Sequence, residues 1–364
     1  MSAASPEPAA SCVGTRPTED RPAALLDIRE LTVEFRQGRR TPPLRAVDGV
    51  SLSVAPGETL GLVGESGSGK STIGRAVLGL TPVRSGTIRF EDADITRATA
   101  KVRRELSARL QVVFQDPYSS LNPARTIGST LAEPLLVQGR LTGRQSADRV
   151  AEMLGRVGLP PDTADRYPAQ FSGGQRQRIA IARALMPGPR LVICDEPVSA
   201  LDLSVQAQVM NLLAELQEAL QLSYLFVAHD LPVVRHLSHR ILVLYRGQVM
   251  ETGPAEALYA RPVHPYTRML IAAVPEPDPG TQRSRRAARR GGPLSAGPLS
   301  AGPPSAGTAA VTDRGCAFAA RCVHALDICR HDRPLLLPVG APDRSGPVTR
   351  SAACHRASEL LAQP

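Results

Sequence analysis

The chain has 364 residues, 43 basic against 34 acidic side chains, and a formal net charge of +9. A hydrophobic content of 42% supports a sizeable core at a length above one ordinary domain. No run reaches the roughly 18 apolar residues that would span a bilayer, so membrane association is expected only through partner proteins. Residues 1–24, with Ser5-Pro6-Glu7-Pro8 and Glu19-Asp20, lack the basic and apolar regions of a signal peptide and are expected to form a disordered arm.

In chain order, Thr59-Leu60-Gly61-Leu62-Val63 predicts a strand and Thr72 to Leu80 a helix, apolar at Ile73, Ala76, Val77 and Leu80. Between them Gly64-Glu65-Ser66-Gly67-Ser68-Gly69-Lys70-Ser71-Thr72 fits the phosphate-binding loop, with two glycines five apart followed by Lys and Ser. Small residues let the backbone N–H groups close around a polyphosphate as an anion nest. Lys70 is expected to reach the β- and γ-phosphates, and the Ser71 hydroxyl to ligate magnesium. Lys70 and Lys101 are the only lysines among the 43 basic residues. A lysine here in so arginine-biased a chain points to a compact point charge inside a tight loop. The structural alternative is a Gly/Ser-rich turn that matches by chance, and the motifs downstream weigh against it.

Phe171-Ser172-Gly173-Gly174-Gln175-Arg176-Gln177-Arg178 opens a helical stretch from Gln175 to Leu185. Ser172 with two glycines at a helix N-terminus forms a second anion site, without a lysine of its own. Such a site has a use if it serves ATP bound to another copy. Leu191-Val192-Ile193-Cys194 then reads as a buried parallel strand delivering Asp195 and Glu196 to its C-terminal end. Asp195 is expected to hold magnesium, directly or through water, and Glu196 to polarise the water attacking the γ-phosphate. A solvated helix start is the alternative for that pair. Phe226-Val227-Ala228 leads to His229, and a lone histidine after an apolar strand is ordinarily a satisfied core residue.

Together these motifs resemble the ATP-binding-cassette ATPases, the nucleotide-binding subunits of ABC transporters, over residues 25 to 280. The resemblance implies an α/β fold: a P-loop cassette over 25–262, with a parallel core sheet, an antiparallel β subdomain and an α-helical subdomain at about 116–186. It places Phe35, in Leu31-Thr32-Val33-Glu34-Phe35, as the aromatic stacking on adenine. Gln115, after Val112-Val113-Phe114, matches the glutamine that contacts magnesium and the attacking water and reports to the membrane subunits. Asp202, in Ser199-Ala200-Leu201-Asp202, matches the loop crossing to the partner cassette. In this company His229 matches the histidine that clamps the γ-phosphate. The family pairs cassettes head to tail, each ATP held between one chain's phosphate loop and the other's Ser172-Gly173-Gly174. Hydrolysis then separates the pair and drives the membrane subunits.

Arg261-Pro262-Val263-His264-Pro265-Tyr266-Thr267 predicts a helix opening at Pro265. Within the family this stretch is similar to the C-terminal extension of oligopeptide and dipeptide importers, as are Gln170-Phe171 and Pro117 to Pro123. That subfamily also handles nickel and glutathione. The implied partners are a second cassette (a copy or a paralogue), two transmembrane permease subunits and an extracytoplasmic solute-binding protein, with the chain peripheral at the cytoplasmic face and no nucleic acid expected. The alternatives are a soluble ABC ATPase in translation or repair, or an importer cassette for nickel or glutathione. A soluble member usually carries two cassettes or long coiled-coil insertions, neither of which is seen.

The extension's helix is expected within 263–280, a linker over 281–310 and a cysteine-rich tail over 311–364. The linker starts with five arginines between Arg283 and Arg290 and continues as near-repeats of Gly292-Pro293-Leu294-Ser295-Ala296. The arginines read as a solvated charged segment or as a contact for anionic lipid or nucleic acid. Cys194 reads as core, and Cys12 lies in the arm. Cys316, Cys322, Cys329 and Cys354 leave an iron–sulfur cluster, zinc with help from His324, His331 or His355, or no metal as the three readings. The resemblance favours a 4Fe-4S cluster, since some peptide-importer ATPases carry one on such a tail.

Overall fold

The computed structural model describes residues 24–38, 41–116, 120–137, 143–273, 314–340 and 350–362. The Arg283–Arg290 cluster, the pentapeptide repeats, Cys12 and Pro117–Ser119 lie outside these residues.

Among the described residues, twelve strands form two sheets. They are β1 Leu26–Phe35, β2 Leu44–Val54, β3 Thr59–Val63, β4 Ser85–Phe90, β5 Ala93–Asp94, β6 Leu110–Val113, β7 Leu191–Asp195, β8 Ser223–Ala228, β9 Arg240–Tyr245, β10 Gln248–Pro254, β11 Leu337–Pro338 and β12 Ser351–Ala352. The smaller sheet runs β2-β1-β4-β5 and pairs antiparallel throughout. The larger runs β11-β12-β10-β9-β3-β8-β7-β6, parallel from β9 to β6 and antiparallel at the β10–β12 side.

Every residue of β3 and β8 is buried, as expected of central parallel strands covered on both faces. Two apolar clusters account for this. Leu26, Ile28, Val50, Phe90, Leu60, Leu62, Ile73 and Leu225 fill the space between the two sheets. Val63, Cys194, Tyr224 and Phe226 pack on the other side with the helices α3 (Ile127–Val137), α4 (Gly143–Arg156), α5 (Gly173–Leu185) and α6 (Leu203–Leu220). Of these helices, α3, α4 and α5 lie within the stretch 116–186 expected to be helical. Cys194 is fully buried and its thiol is pushed far up by desolvation, so it is a core residue as expected.

The tail does not stand alone. β12 adds to the edge of β10, pairing Glu251 with Ala352 and Thr252 with Ser351, and β11 pairs outside it. Three arginines of the tail each meet a different acid of the cassette. Arg350 lies on the fully buried Glu251 carboxylate at 2.7 Å, which also accepts from the backbone N–H groups of Val263 and His264. Arg333 reaches the Asp48 carboxylate at 2.8 Å and the Asp48 carbonyl at 2.9 Å. Arg321 forks onto Glu65. Strand addition and these three ion pairs dock the tail on the cassette.

Candidate functional site

The order β9-β3-β8-β7-β6 brings the C-terminal ends of adjacent parallel strands together, where α/β folds bind ligands. The loop 64–69 follows β3, His229 follows β8, Asp195 ends β7 with Glu196 next, and Gln115 follows β6 after one residue. Sequence-predicted residues more than 100 positions apart therefore share one rim.

The loop fits its motif physically. It leads into the helix α1 (Lys70–Val77), whose N-cap residue Gly69 has φ 102°. A side chain there would strain the backbone and run into the Ala46 carbonyl. Lys70 is buried, and its ammonium donates to the carbonyls of Gly64 at 2.7 Å and Glu65 at 2.9 Å. Burial lowers its pKa, against which Glu196, Asp195 and Glu65 pull upward. The charge thus rests on loop carbonyls in a position from which it can move to an incoming anion. Ser68 is held by its carbonyl, which accepts from the Gly247 N–H at 2.9 Å, while Ser66, Gly67 and Thr72 complete the loop and the first turn.

Ser71 Oγ donates to Asp195 Oδ1 at 2.6 Å, so two hard oxygen donors meet beside the loop. This donor set fits magnesium. Glu196 sits at φ 50°, a left-handed backbone that a non-glycine residue adopts at a cost of about 1–3 kcal/mol, and such strain collects at functional sites. Its N–H is held by the Val227 carbonyl at 2.9 Å, and its carboxylate lies 3.3 Å from His229 Nδ1. The alternative of a buried core histidine fails, because the His229 side chain is 56% exposed.

The remaining predicted residues lie nearby or serve local roles. Phe35 ends β1 with its ring 41% exposed, available for stacking. Gln115 is exposed. Ser172 caps α5, with its side chain and that of Gln175 forming a reciprocal capping box, and a side chain at Gly174 would strike Val205 of α6. Gly173 is the first residue of that helix. Asp202 caps α6 by accepting from Val205 N–H at 3.0 Å, and the Ser204 hydroxyl helps hold its carboxyl below the usual range.

In the tail, Cys316, Cys322, Cys329 and Cys354 line one cavity together with His264, His324 and His355. Burial pushes the Cys316 thiol up to about 11 and raises Cys322 and Cys354 as well. Among the described residues no three His, Cys, Asp or Glu side chains adopt metal-ligand geometry. His331 instead approaches Asp327, and His355 Nε2 lies 3.0 Å from the Asp332 carbonyl.

Sequence reasoning missed the residues linking tail to loop. Tyr266, in α9 (Pro265–Ala273), begins the predicted helix and packs in the core as expected, but its hydroxyl also accepts from the Glu65 N–H at 2.9 Å. His264, buried beside the Phe318 ring, has its pKa lowered to about 4 by desolvation, so it is neutral and accepts from the Tyr266 N–H. Arg321 carried no signal beyond standing next to a cysteine.

Comparisons with known proteins agree with this geometry. Residues 47–199 match the family described as ABC transporter, and residues 250–329 match the oligopeptide/dipeptide transporter C-terminal region. A protein of Brucella abortus (strain 2308) named as a peptide import ATP-binding protein is 48% identical over 93% of this chain and 95% of its own length. Another so named, from Brucella ovis, is 47% identical over 86% of this chain and 94% of its own. Among solved structures, a dimeric ATP-binding cassette in a post-hydrolysis state with ADP and Pi is 29% identical, covering 63% of this chain and 98% of that one at TM-score 0.58. Clostridium perfringens cbiO1, part of the ABC transporter complex cbiONQ, is 27% identical over 65% of this chain and 91% of its own, also at TM-score 0.58.

Proposed function

The chain belongs to the ATP-binding proteins of ABC transporters, and from that membership we propose that it is the ATP-hydrolysing subunit of an importer for di- or oligopeptides. The observation that carries this reading is the convergence of the loop 64–72, Asp195-Glu196 and His229 on adjacent strand ends, in one chain with the peptide-transporter type of C-terminal region.

The loop N–H groups and Lys70 hold the β- and γ-phosphates, the Lys70 ammonium leaving the Gly64 and Glu65 carbonyls as the nucleotide arrives. Ser71 and Asp195 would hold magnesium, which when bound would spread the phosphate charge. Glu196 takes the proton of the attacking water, and His229, beside its carboxylate, orients it and meets the γ-phosphate. Gln115 contacts the same water, and Phe35 stacks on adenine. A second cassette contributes Ser172, Gly173, Gly174 and Gln175 across the interface, with Asp202 at the crossing. No covalent intermediate is needed; positioning and charge stabilisation do the work.

The chain works at the cytoplasmic face of the membrane with two permease subunits and a solute-binding protein. No helix of the described residues is long and apolar enough to cross a bilayer. The four tail cysteines hold an iron–sulfur cluster. Their convergence on one cavity from two stretches of the tail supports this, although the thiols would have to lose their protons and close up to ligate.

The test is to capture the tagged chain from detergent-solubilised membranes and reconstitute the complex in proteoliposomes. Permease subunits are expected to copurify, and peptide uptake to require ATP and to vanish with Lys70→Ala. Ribosomal or DNA-repair partners without a permease would favour the soluble reading instead, and uptake of nickel or glutathione but not peptides would move the cargo.

A further inference from the structure

Glu65, the second residue of the phosphate loop, is held at three points. Its N–H donates to the Tyr266 hydroxyl at 2.9 Å, its carbonyl accepts from Lys70 at 2.9 Å, and its carboxylate takes both prongs of Arg321 at 2.9 and 3.0 Å. Two of these holds come from inside the nucleotide-binding core or its extension helix. The third comes from the cysteine-rich tail, 256 positions further along the chain.

Arg321 is itself fixed. Its guanidinium stands 5.7 Å from the ring centroids of both Tyr245 and Phe318 and donates to the Tyr245 hydroxyl at 3.3 Å. A planar fork locked over two rings delivers two parallel hydrogen bonds in one direction, which a lysine cannot do. The fork holds the carboxylate on the Arg321 side, against a swing toward the space where phosphate charge must enter. An unheld Glu65 would place a mobile anion at the mouth of an anion site, and the backbone nest would lose one fixed end.

We propose that Arg321 is a positioning residue of the nucleotide site: the tail, through this fork, holds Glu65 away from the phosphates and thereby sets the affinity for ATP. The proposal rests on the reading of loop 64–72 as the ATP site, and it is independent of what the four cysteines bind. Arg321 acts through the Glu65 carboxylate and not on the reacting groups, so its effect falls on binding and not on the chemical step.

The experiment measures ATP binding and steady-state hydrolysis on the full chain for Arg321→Ala, Arg321→Lys, Glu65→Ala and the Arg321→Ala/Glu65→Ala double variant. Arg333→Ala, which removes a different tail clamp, and Lys70→Ala are run alongside. Arg321→Ala is expected to raise the ATP Kd and KM roughly threefold to tenfold with kcat nearly unchanged, and Arg321→Lys to recover part of the loss. In the Glu65→Ala background the Arg321 substitution is expected to change nothing further, because its target is gone. Arg333→Ala is expected to leave KM at the wild-type value. Unchanged KM in Arg321→Ala, an equal added effect in the Glu65→Ala background, or a matching KM rise in Arg333→Ala would each overturn the proposal. If Arg321→Ala exposes residues 314–362 to protease, the Glu65→Ala background decides, since the proposal requires the two substitutions to be non-additive. Retained ATP binding in Lys70→Ala would instead overturn the reading of the loop as the ATP site, and the proposal for Arg321 with it.

Discussion

The nucleotide rim and the docked tail are built in opposite ways. At the rim, backbone groups and short side chains are positioned by the ends of buried strands, and the sheet's core fixes their geometry. The tail is positioned by long arginine side chains reaching across to Asp48, Glu65 and Glu251, with a two-residue strand added to a sheet edge. The first arrangement is as rigid as the core, whereas the second is a set of separable contacts of unequal strength. Exposure ranks them: the Arg350–Glu251 pair is nearly dry, with the carboxylate 0% exposed, whereas both partners of Arg321–Glu65 are more than a third exposed. Damage at the rim should therefore stop chemistry and spare the fold, and damage at the tail should loosen structure and spare chemistry.

The largest effect expected is on turnover. Glu196→Gln keeps the shape of the side chain but cannot accept the proton, so kcat should fall by ~10² or more while ATP binding persists. Near-normal hydrolysis in this variant would remove Glu196 from the mechanism. Arg350→Ala comes next and tests the other side of the contrast. It leaves the buried Glu251 carboxylate with two backbone donors and no counter-charge, at a cost of about 3 kcal/mol to tail docking. Limited proteolysis should then release residues 314–362 while the cassette still hydrolyses ATP; a tail that stays protected would mean the added strand alone suffices.

The cysteines sharpen the comparison further. Anaerobically purified chain should be brown, and replacing any one of Cys316, Cys322, Cys329 or Cys354 with Ser should bleach it and raise tail proteolysis. ATP affinity should fall no further than it does in Arg321→Ala. Stoichiometric zinc, or a colourless protein with an ordered tail, would remove the cluster from the picture. The smallest effect is expected at Gln115→Ala, where transport should drop a few-fold more than basal ATPase activity, an order-of-magnitude expectation for a residue that couples two subunits. Equal losses in the two assays would confine Gln115 to the active site.

How much could be read in advance follows the same division. The loop 64–72, the Asp195-Glu196 pair and His229 were legible because each is a short contiguous pattern next to an apolar strand, and strand ends in a parallel sheet are neighbours by topology. The signature at Ser172 was legible for a similar reason, since a cap and its helix are local. The three arginine clamps were not legible. Each joins an ordinary charged residue to another 99 to 285 positions away, and nothing in the composition near Arg321, Arg333 or Arg350 distinguishes them from the chain's other arginines. The docking of the tail was not legible either, because the core it uses belongs to the cassette. Phe318, for instance, packs against Tyr245 and Tyr266.

The strand added at the sheet edge also sets an order of assembly. β10 pairs with β9 through a tight turn, but its other edge waits for residues near 351, and Arg350 reaches Glu251 across 99 positions of chain. Closing so long a loop is slow relative to the local hairpin, so the cassette is expected to form before the tail covers this strand edge. Such an edge is a template for pairing with other chains. Forms of this protein cut within the linker should accordingly be prone to associate through β10, and the tail, whatever its cavity holds, serves as the stopper that ends the sheet.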